Sequence, residues 1–354
     1  MPWQPLTIRE RIFGRKYRSF LYEVTPRCNL RCAHCYNVWK DDVGYDGAAQ
    51  ADTATALRMI RKAVRESGAD HFTFTGGEPT LREDLETLVA EAARFCSVTL
   101  ITNGTRLDED RIRALMQAGV GLFELPLNGP DAATHDLMEG REGAFAAVVR
   151  ATADIRFLGG EVAFVFVATK LNIGGYRETL DFGLALGVRS WLFNRYNAGG
   201  ECHGRPDQLM PGIPQIKEAL ATAQEYALRH GLAIGCSIAL PECLIDHTPY
   251  PNLGFGYCAA GTDRMYLTMD PVGNIRPCNH TPLVLGNILE TPLRRLTTGS
   301  KMRGFACASP DFCAGCKLES VCQGSCKAAA QACYGTLDLP DPFVLINMDT
   351  VAKP

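Results

Sequence analysis

The sequence predicts an α/β protein built on a parallel sheet, followed by a compact cysteine-rich module. Three observations lead there. Short apolar runs alternate six times with amphipathic helical patterns between residues 20 and 195. The polar residues suited to chemistry fall where those apolar runs end. From Cys258 onward the chain is dense in cysteine and poor in regular periodicity.

The strands are expected at "FLYEVT" (20–25), "HFTFT" (71–75), "SVTLIT" (97–102), "GLFELPL" (121–127), "EVAFVFVAT" (161–169) and "RSWLFN" (189–194). Helical periodicity marks 52–67, 82–94, 108–118, 143–158 and 175–186, with Asp108 capping the third. Repeated strand–helix units imply right-handed crossovers, and periodicity alone leaves open a doubly wound sheet or a curved partial barrel. After residue 198 a Gly- and Pro-rich stretch precedes a helix (213–230) and a strand (232–236). "RMYLTMDPVGNIRPC" reads as a hairpin turning at 270–274, and "VCQGSCKAAAQACYG" as a short helix. The expected organisation is an N-terminal extension (1–19), a core (20–198), a linker with helix and strand (199–257) and a cysteine-rich domain (258–354).

Bulk properties exclude several classes. A net charge of -3 leaves no electrostatic footprint for nucleic acid or an anionic membrane. No run of about 18 apolar residues is present, so no membrane span is expected. The first residues are polar and basic without an apolar h-region, which argues against secretion and for the cytoplasm. In that reducing setting the 15 cysteines point to metal or iron–sulfur ligation rather than disulfides. Cys96, Cys202, Cys236 and Cys243 are scattered; Cys96 reads as a small buried hydrophobe.

The remaining cysteines are grouped. Cys28, Cys32 and Cys35 directly follow the first strand. "TGGEPT" (75–80) follows the second, "TNGT" with Asn103 the third, and Asn128 ends the fourth. Lys170 and Asn172 follow the fifth, and Asn194 and Arg195 close the sixth. All lie at strand carboxyl ends, the rim where parallel α/β sheets build their sites. Three thiolates hold a four-iron cluster with one iron open to a small molecule. Gly76 and Gly77 permit close backbone approach to a ligand, and Glu78 offers a carboxylate to an ammonium group.

With C-x3-C-x2-C followed by Tyr36, and "GGEP" (76–79) one strand later, the chain resembles the radical S-adenosylmethionine superfamily. That resemblance implies a partial (β/α)6 TIM-like barrel and a [4Fe-4S] cluster on Cys28, Cys32 and Cys35. S-adenosyl-L-methionine would be cleaved to a 5′-deoxyadenosyl radical. It also implies that Gly76, Gly77 and Glu78 hold the methionine amino group, that Tyr36 flanks the adenine and that Asn103 and Asn128 line the cofactor. Relatives carry Ser-Leu-Asp-Gly and "HDxxRG" where this chain has Pro126-Leu127-Asn128-Gly129 and His135-Asp136-Leu137-Met138-Glu139-Gly140. Arg195 or Arg141 is the candidate replacement for the lost arginine; His34 and His135 read as residues that order loops.

The C-terminal spacing C-x14-G-x4-C, then C-x2-C-x5-C-x3-C, then a last cysteine, resembles the SPASM extension of the same superfamily. By that resemblance Cys258, Cys278 and Cys326 hold one auxiliary [4Fe-4S] cluster. Cys313, Cys316 and Cys322 hold a second, with Cys333 as its fourth ligand. Cys243 and Cys307 are candidates to complete the first, whose iron could otherwise be open to substrate.

The expected activity is oxidoreductase-type peptide maturation: cross-link, thioether or oxidation of a ribosomal peptide side chain. Oxidation or epimerisation of a sugar or aminocyclitol is the alternative. Expected partners are the precursor peptide or small molecule and a flavodoxin or ferredoxin. The short stretch ahead of the first strand leaves no room for a peptide-recognition domain, so a separate leader-peptide-binding protein is expected. Glu124, Lys170, Arg195 and Asp270 stand as acid–base candidates, none preferred.

Overall fold

A computed structural model describes residues 19–37, 49–199, 206–262 and 264–350. The expected N-terminal extension, save Ser19, and Cys202 lie outside the described residues. The six expected strands form as β1 (Ser19–Glu23), β2 (His71–Thr75), β3 (Ser97–Ile101), β4 (Val120–Pro126), β5 (Val162–Ala168) and β6 (Ser190–Arg195). Each pairs in parallel with the next. The connecting helices are α1 (Thr53–Ser67), α2 (Leu85–Ala93), α3 (Glu109–Ala118), α4 (Ala132–Glu139), α5 (Ala144–Phe157) and α6 (Tyr176–Ala185). Local chemistry sets their ends. Asp52, Asp108 and Asp131 cap α1, α3 and α4 through backbone N–H groups, and Gly68, Gly119 and Gly140 close them in left-handed conformation. In α1 the buried Ala56, Met59, Ile60 and Ala63 recur at helical spacing and face the sheet.

Alternation along the strands sorts side chains into two layers. Phe72, Phe74, Leu100, Phe123, Phe164, Phe166 and Phe193 are fully buried in the helix-covered core. The intervening Thr73, Thr99, Ile101, Leu122, Glu124, Val165 and Leu192 line an interior cavity. Threonines, aliphatic side chains and one glutamate therefore face the inside, and the phenylalanines fill the outside.

The sheet continues past both ends of this set. β7 (Ala233–Cys236) and β8 (Leu253–Phe255) extend it in parallel beyond β6. β9 (Tyr266–Met269), from the cysteine-rich region, pairs in parallel with β1. It turns through Asp270 into antiparallel β10 (Asn274–Arg276), which pairs with β11 (Gly286–Asn287). The order is β11-β10-β9-β1-β2-β3-β4-β5-β6-β7-β8. Because β1 is paired with β9 and β6 with β7, β1 and β6 never meet, and the barrel is partial and open. Helices α7 (Ile213–His230), α8 (Leu293–Thr298), α9 (Ser300–Cys307), α10 (Lys327–Tyr334) and α11 (Pro342–Ile346) complete the described elements that matter here.

Two buried ion pairs join the C-terminal region to the strands. Glu23 at the end of β1 accepts from Arg276 of β10. Arg195 at the end of β6 donates to Asp341, the N-cap of α11, with both side chains fully buried. Each pair takes one charge from either region, so the two regions are tied at both flanks of the sheet. No described helix is long and apolar enough to cross a membrane.

Candidate active site

The strand ends meet around one cavity of about 700 Å³. Cys28, Cys32, Cys35, Tyr36, Gly76, Gly77, Glu78, Asn103, Asn128 and Arg195 all lie on its wall. Of the expected rim, Lys170 and Asn172 lie off this surface, Asn172 donating instead to Asn128 O and Val167 O.

The cysteine loop is held by its neighbours' backbone. Gly77 N–H donates to Thr25 O and Glu78 N–H to Arg27 O, each at 2.7 Å. Gly76 adopts φ +149°, and a Cβ there would lie 2.5 Å from Thr25 O; on Gly77 it would lie 2.2 Å from Arg27 O. The glycines let one strand end zip against the cysteine loop, a packing reason distinct from the ligand approach expected of them. On the other side, Ala33 N–H donates to Met138 O at the end of α4. Leu30 N–H reaches Cys28 Sγ at 3.4 Å, a donor to sulfur from within the loop.

Glu78 is buried and organises the third strand end. Its Oε1 accepts from Thr80 N, Thr80 Oγ1 and Thr102 Oγ1, and its Oε2 from Asn103 N at 2.8 Å. Burial raises its pKa more than these donors lower it. Oε2, with one donor, keeps acceptor capacity for an ammonium group. Asn103 Nδ2 donates to Asn29 Oδ1, and Asn29 Nδ2 to Thr105, so the cysteine loop is also tied to β3.

Asn128 is fully buried. Its Oδ1 accepts from Val167 N and its Nδ2 donates to Glu139 at 2.7 Å, which leaves one amide hydrogen for a ligand. Glu139, which the sequence reading did not single out, also accepts from the Cys32 thiol at 2.9 Å. Burial pushes its carboxyl up, yet His34, His135 and these two hydrogen bonds outweigh that and hold it below the ordinary range. Glu139 occupies the arginine position of the "HDxxRG" pattern, so the missing arginine was itself the signal. Helix α4, unassigned from periodicity, delivers it. His135 Nδ1 accepts from Asn128 N–H, and burial holds its pKa down. It orders the loop, as expected.

Arg195 reaches the cavity wall but its guanidinium is engaged within the protein. Nε donates to Ala239 O, Nη1 to Tyr196 O, and Nη2 to Asp341, while Phe343 lies under the guanidinium carbon. Arg195 thus anchors Asp341, which lies 146 residues away in the chain, while remaining on the cavity wall. Lys170 is exposed and bonds Asp207 O; Asp270 shapes the β9–β10 turn through Val272 N and Asn274. Neither lines the cavity. Of the four acid–base candidates, Glu124 and Arg195 line the cavity, and Glu124 joins the third strand end through its backbone carbonyl, which accepts from Thr102 N–H at 3.1 Å. Burial among apolar neighbours pushes its carboxyl up to about 7.

The C-terminal region supplies the other wall. Asn279 Nδ2 donates to Tyr36 Oη at 2.8 Å, and the His280 ring lies 4.0 Å from that of Tyr36. Burial raises the Tyr36 phenol above its ordinary value and lowers His280 to about 3, so both rings stay neutral. Behind them Cys258, Cys278 and Cys326 share a second cavity, and Tyr266 and His280 belong to the walls of both. Cys313, Cys316 and Cys322 line a third.

These sets fit iron–sulfur groups by donor chemistry. Burial pushes the thiols of Cys278 to about 12 and of Cys322 and Cys326 to about 11. Such thiols become thiolates only when a cationic group is bound among them. Soft sulfur donors gathered in pockets suit iron–sulfur clusters.

Comparison with known proteins agrees with this geometry. Residues 22–183 match the Radical SAM superfamily and residues 258–323 an iron-sulfur cluster-binding domain, SPASM. A PqqA peptide cyclase of Methylocella silvestris is 28% identical over 340 residues, covering 94% of this chain and 88% of that protein. An AdoMet-dependent heme synthase of Nitratidesulfovibrio vulgaris is 26% identical, covering 91% and 90%. Streptococcus suis SuiB bound to its precursor peptide SuiA has the same fold, with TM-score 0.75, 15% identity and 95% and 78% coverage. So does anSMEcpe with bound AdoMet, at TM-score 0.71, 19% identity and 94% and 95% coverage.

Proposed function

The chain belongs to the radical S-adenosylmethionine superfamily and carries a SPASM iron–sulfur domain, and on that premise we propose that it matures a ribosomally made peptide by modifying a side chain inside the barrel mouth. One observation carries the reading. The cavity walled by Cys28, Cys32 and Cys35 shares Tyr266 and His280 with the pocket of Cys258, Cys278 and Cys326. A side chain entering the barrel is therefore flanked by two sulfur-donor sets. The peptide class draws support from relatives whose names specify a peptide.

When bound, the four-iron cluster and S-adenosyl-L-methionine supply a 5′-deoxyadenosyl radical through one-electron cleavage of the sulfonium. Cys28, Cys32 and Cys35 would hold three irons. The Gly76–Glu78 turn would hold the methionine amino group, Tyr36 would flank the adenine, and Asn103 and Asn128 would complete the cofactor wall. Leu122, Val165 and Leu192 would pack around the substrate side chain and exclude water. Glu124, close to neutrality in pKa, would give or take a proton at its carboxylate. Two auxiliary clusters on the C-terminal cysteines bring the total to about twelve irons per chain. A flavodoxin or ferredoxin would deliver electrons in the cytoplasm, and a separate protein would bind the leader peptide.

The test is anaerobic turnover of the reconstituted enzyme with S-adenosyl-L-methionine, dithionite and peptides encoded beside its gene. 5′-Deoxyadenosine should form with an equivalent mass change on a peptide. Turnover of a sugar, aminocyclitol or porphyrin with no peptide altered would overturn the peptide reading.

A further inference from the structure

The second auxiliary set has three cysteines by spacing, and the fold supplies a fourth from elsewhere. Cys243 lies between β7 and β8, some 70 residues ahead of Cys313. The turn Pro241–Ile245, closed by Leu244 and Ile245 N–H bonds to Pro241 O, places it in one pocket with Cys313, Cys316 and Cys322. Cys333 is absent from that pocket and from the one holding Cys258, Cys278 and Cys326.

The intervening backbone explains the partition. Gly315, with φ +77°, turns Cys313 and Cys316 to the same side, with Cys316 N–H donating to Cys313 O. Leu318 N–H reaches Cys316 Sγ at 3.4 Å, repeating the donor-to-sulfur contact of the Cys28 loop. Between Cys322 and Cys326, Gln323, Gly324 and Ser325 all take positive φ (51°, 80° and 72°). Two non-glycine residues in that region are held there by their surroundings against their own preference. The reversal they make sends Cys322 to one pocket and Cys326 to the other.

We propose that Cys243 is the fourth ligand of the second auxiliary cluster, which is thereby fully cysteine-ligated, and that Cys333 is not its ligand. The cluster then bridges the β7–β8 connection and the C-terminal domain, and its closed coordination suits it to electron relay rather than substrate binding. The inference rests on the iron–sulfur reading of these cysteines but not on the identity of the substrate.

It is tested in the full-length chain carrying Cys28→Ala, Cys32→Ala and Cys35→Ala, reconstituted anaerobically so that only auxiliary clusters contribute. Iron analysis with Mössbauer and electron paramagnetic resonance spectra of the reduced protein reads them. About eight irons are expected in this background, and adding Cys243→Ala should lower the count to about four with loss of one signal. Adding Cys333→Ala should leave both signals. Cys243→Asp, which offers an oxygen ligand, should keep four irons in that cluster with altered g-values, and serves if the alanine variant does not fold. Retention of both signals in Cys243→Ala, loss of one in Cys333→Ala, or an unaltered spectrum in Cys243→Asp would overturn the assignment. A parent background with no iron would instead defeat the iron–sulfur reading, and failure to modify any peptide would leave this partition standing.

Discussion

Removing the Asp341 carboxylate should destabilise the junction between barrel and C-terminal domain. Asp341 and Arg195 are both fully buried, so truncating one strands the charge of the other. Breaking a buried pair this way costs about 3–5 kcal/mol. Asp341 also accepts from Phe343 N at 2.8 Å and Cys326 N at 3.0 Å, and loss of the α11 cap adds about 1 kcal/mol. With an unfolding entropy of about 2 cal/mol/K per residue over 354 residues, the combined loss of about 4–6 kcal/mol lowers the melting temperature by about 6–8 °C. Asp341→Asn, which keeps the cap but not the charge, should fall by less. Arg195→Met combined with Asp341→Ala should recover part of the loss, since no charge remains stranded, giving a coupling of about 2 kcal/mol. The assay is anaerobic thermal unfolding of the reconstituted protein and its three variants. A fall under about 1 °C for Asp341→Ala, or simple additivity in the double variant, would refute the argument that this pair ties the regions together.

Glu124 gives a pH signature. Its folded pKa of about 7 exceeds its ordinary 4.5, so the ionised form is disfavoured in the fold. Stability should therefore decline as pH rises from about 4.5 through 7, by about 3 kcal/mol, and Glu124→Gln should flatten that slope and be more stable at pH 8, as read by urea unfolding against pH. Cys32→Ala should abolish 5′-deoxyadenosine formation while the auxiliary iron remains, as read by chromatography and iron analysis. Gly77→Ala places a Cβ 2.2 Å from Arg27 O, so the cysteine loop must shift and the first cluster's share of iron should fall. Unchanged iron in that variant would show that the zip between the two loops is dispensable.

Much of the site was legible in the chain because the determinants are local. Strand alternation in "HFTFT" sets which side faces the cavity, and the motif cysteines follow β1 without intervening structure. The eight residues "AATHDLME" carry too short a periodic signal to mark α4, so Glu139 and its contact with Cys32 are not legible in the sequence. The surroundings of Arg195 and of Cys243 were hidden for a different reason, since both are set by segments distant in the chain.

Local pattern encodes the six core strands, five of the six helices between them, the cysteine loop at the first strand end and the glycine turn beside it. Those follow from side-chain period and spacing, which a short stretch of chain carries whole. Only the tertiary structure decided that β9 joins β1 in parallel, that Arg195 meets Asp341 and Glu23 meets Arg276, and that Cys243 sits with Cys313, Cys316 and Cys322. Each of these joins residues distant in the chain, and their pairing is set by how the sheet and the C-terminal domain pack, which no local pattern encodes.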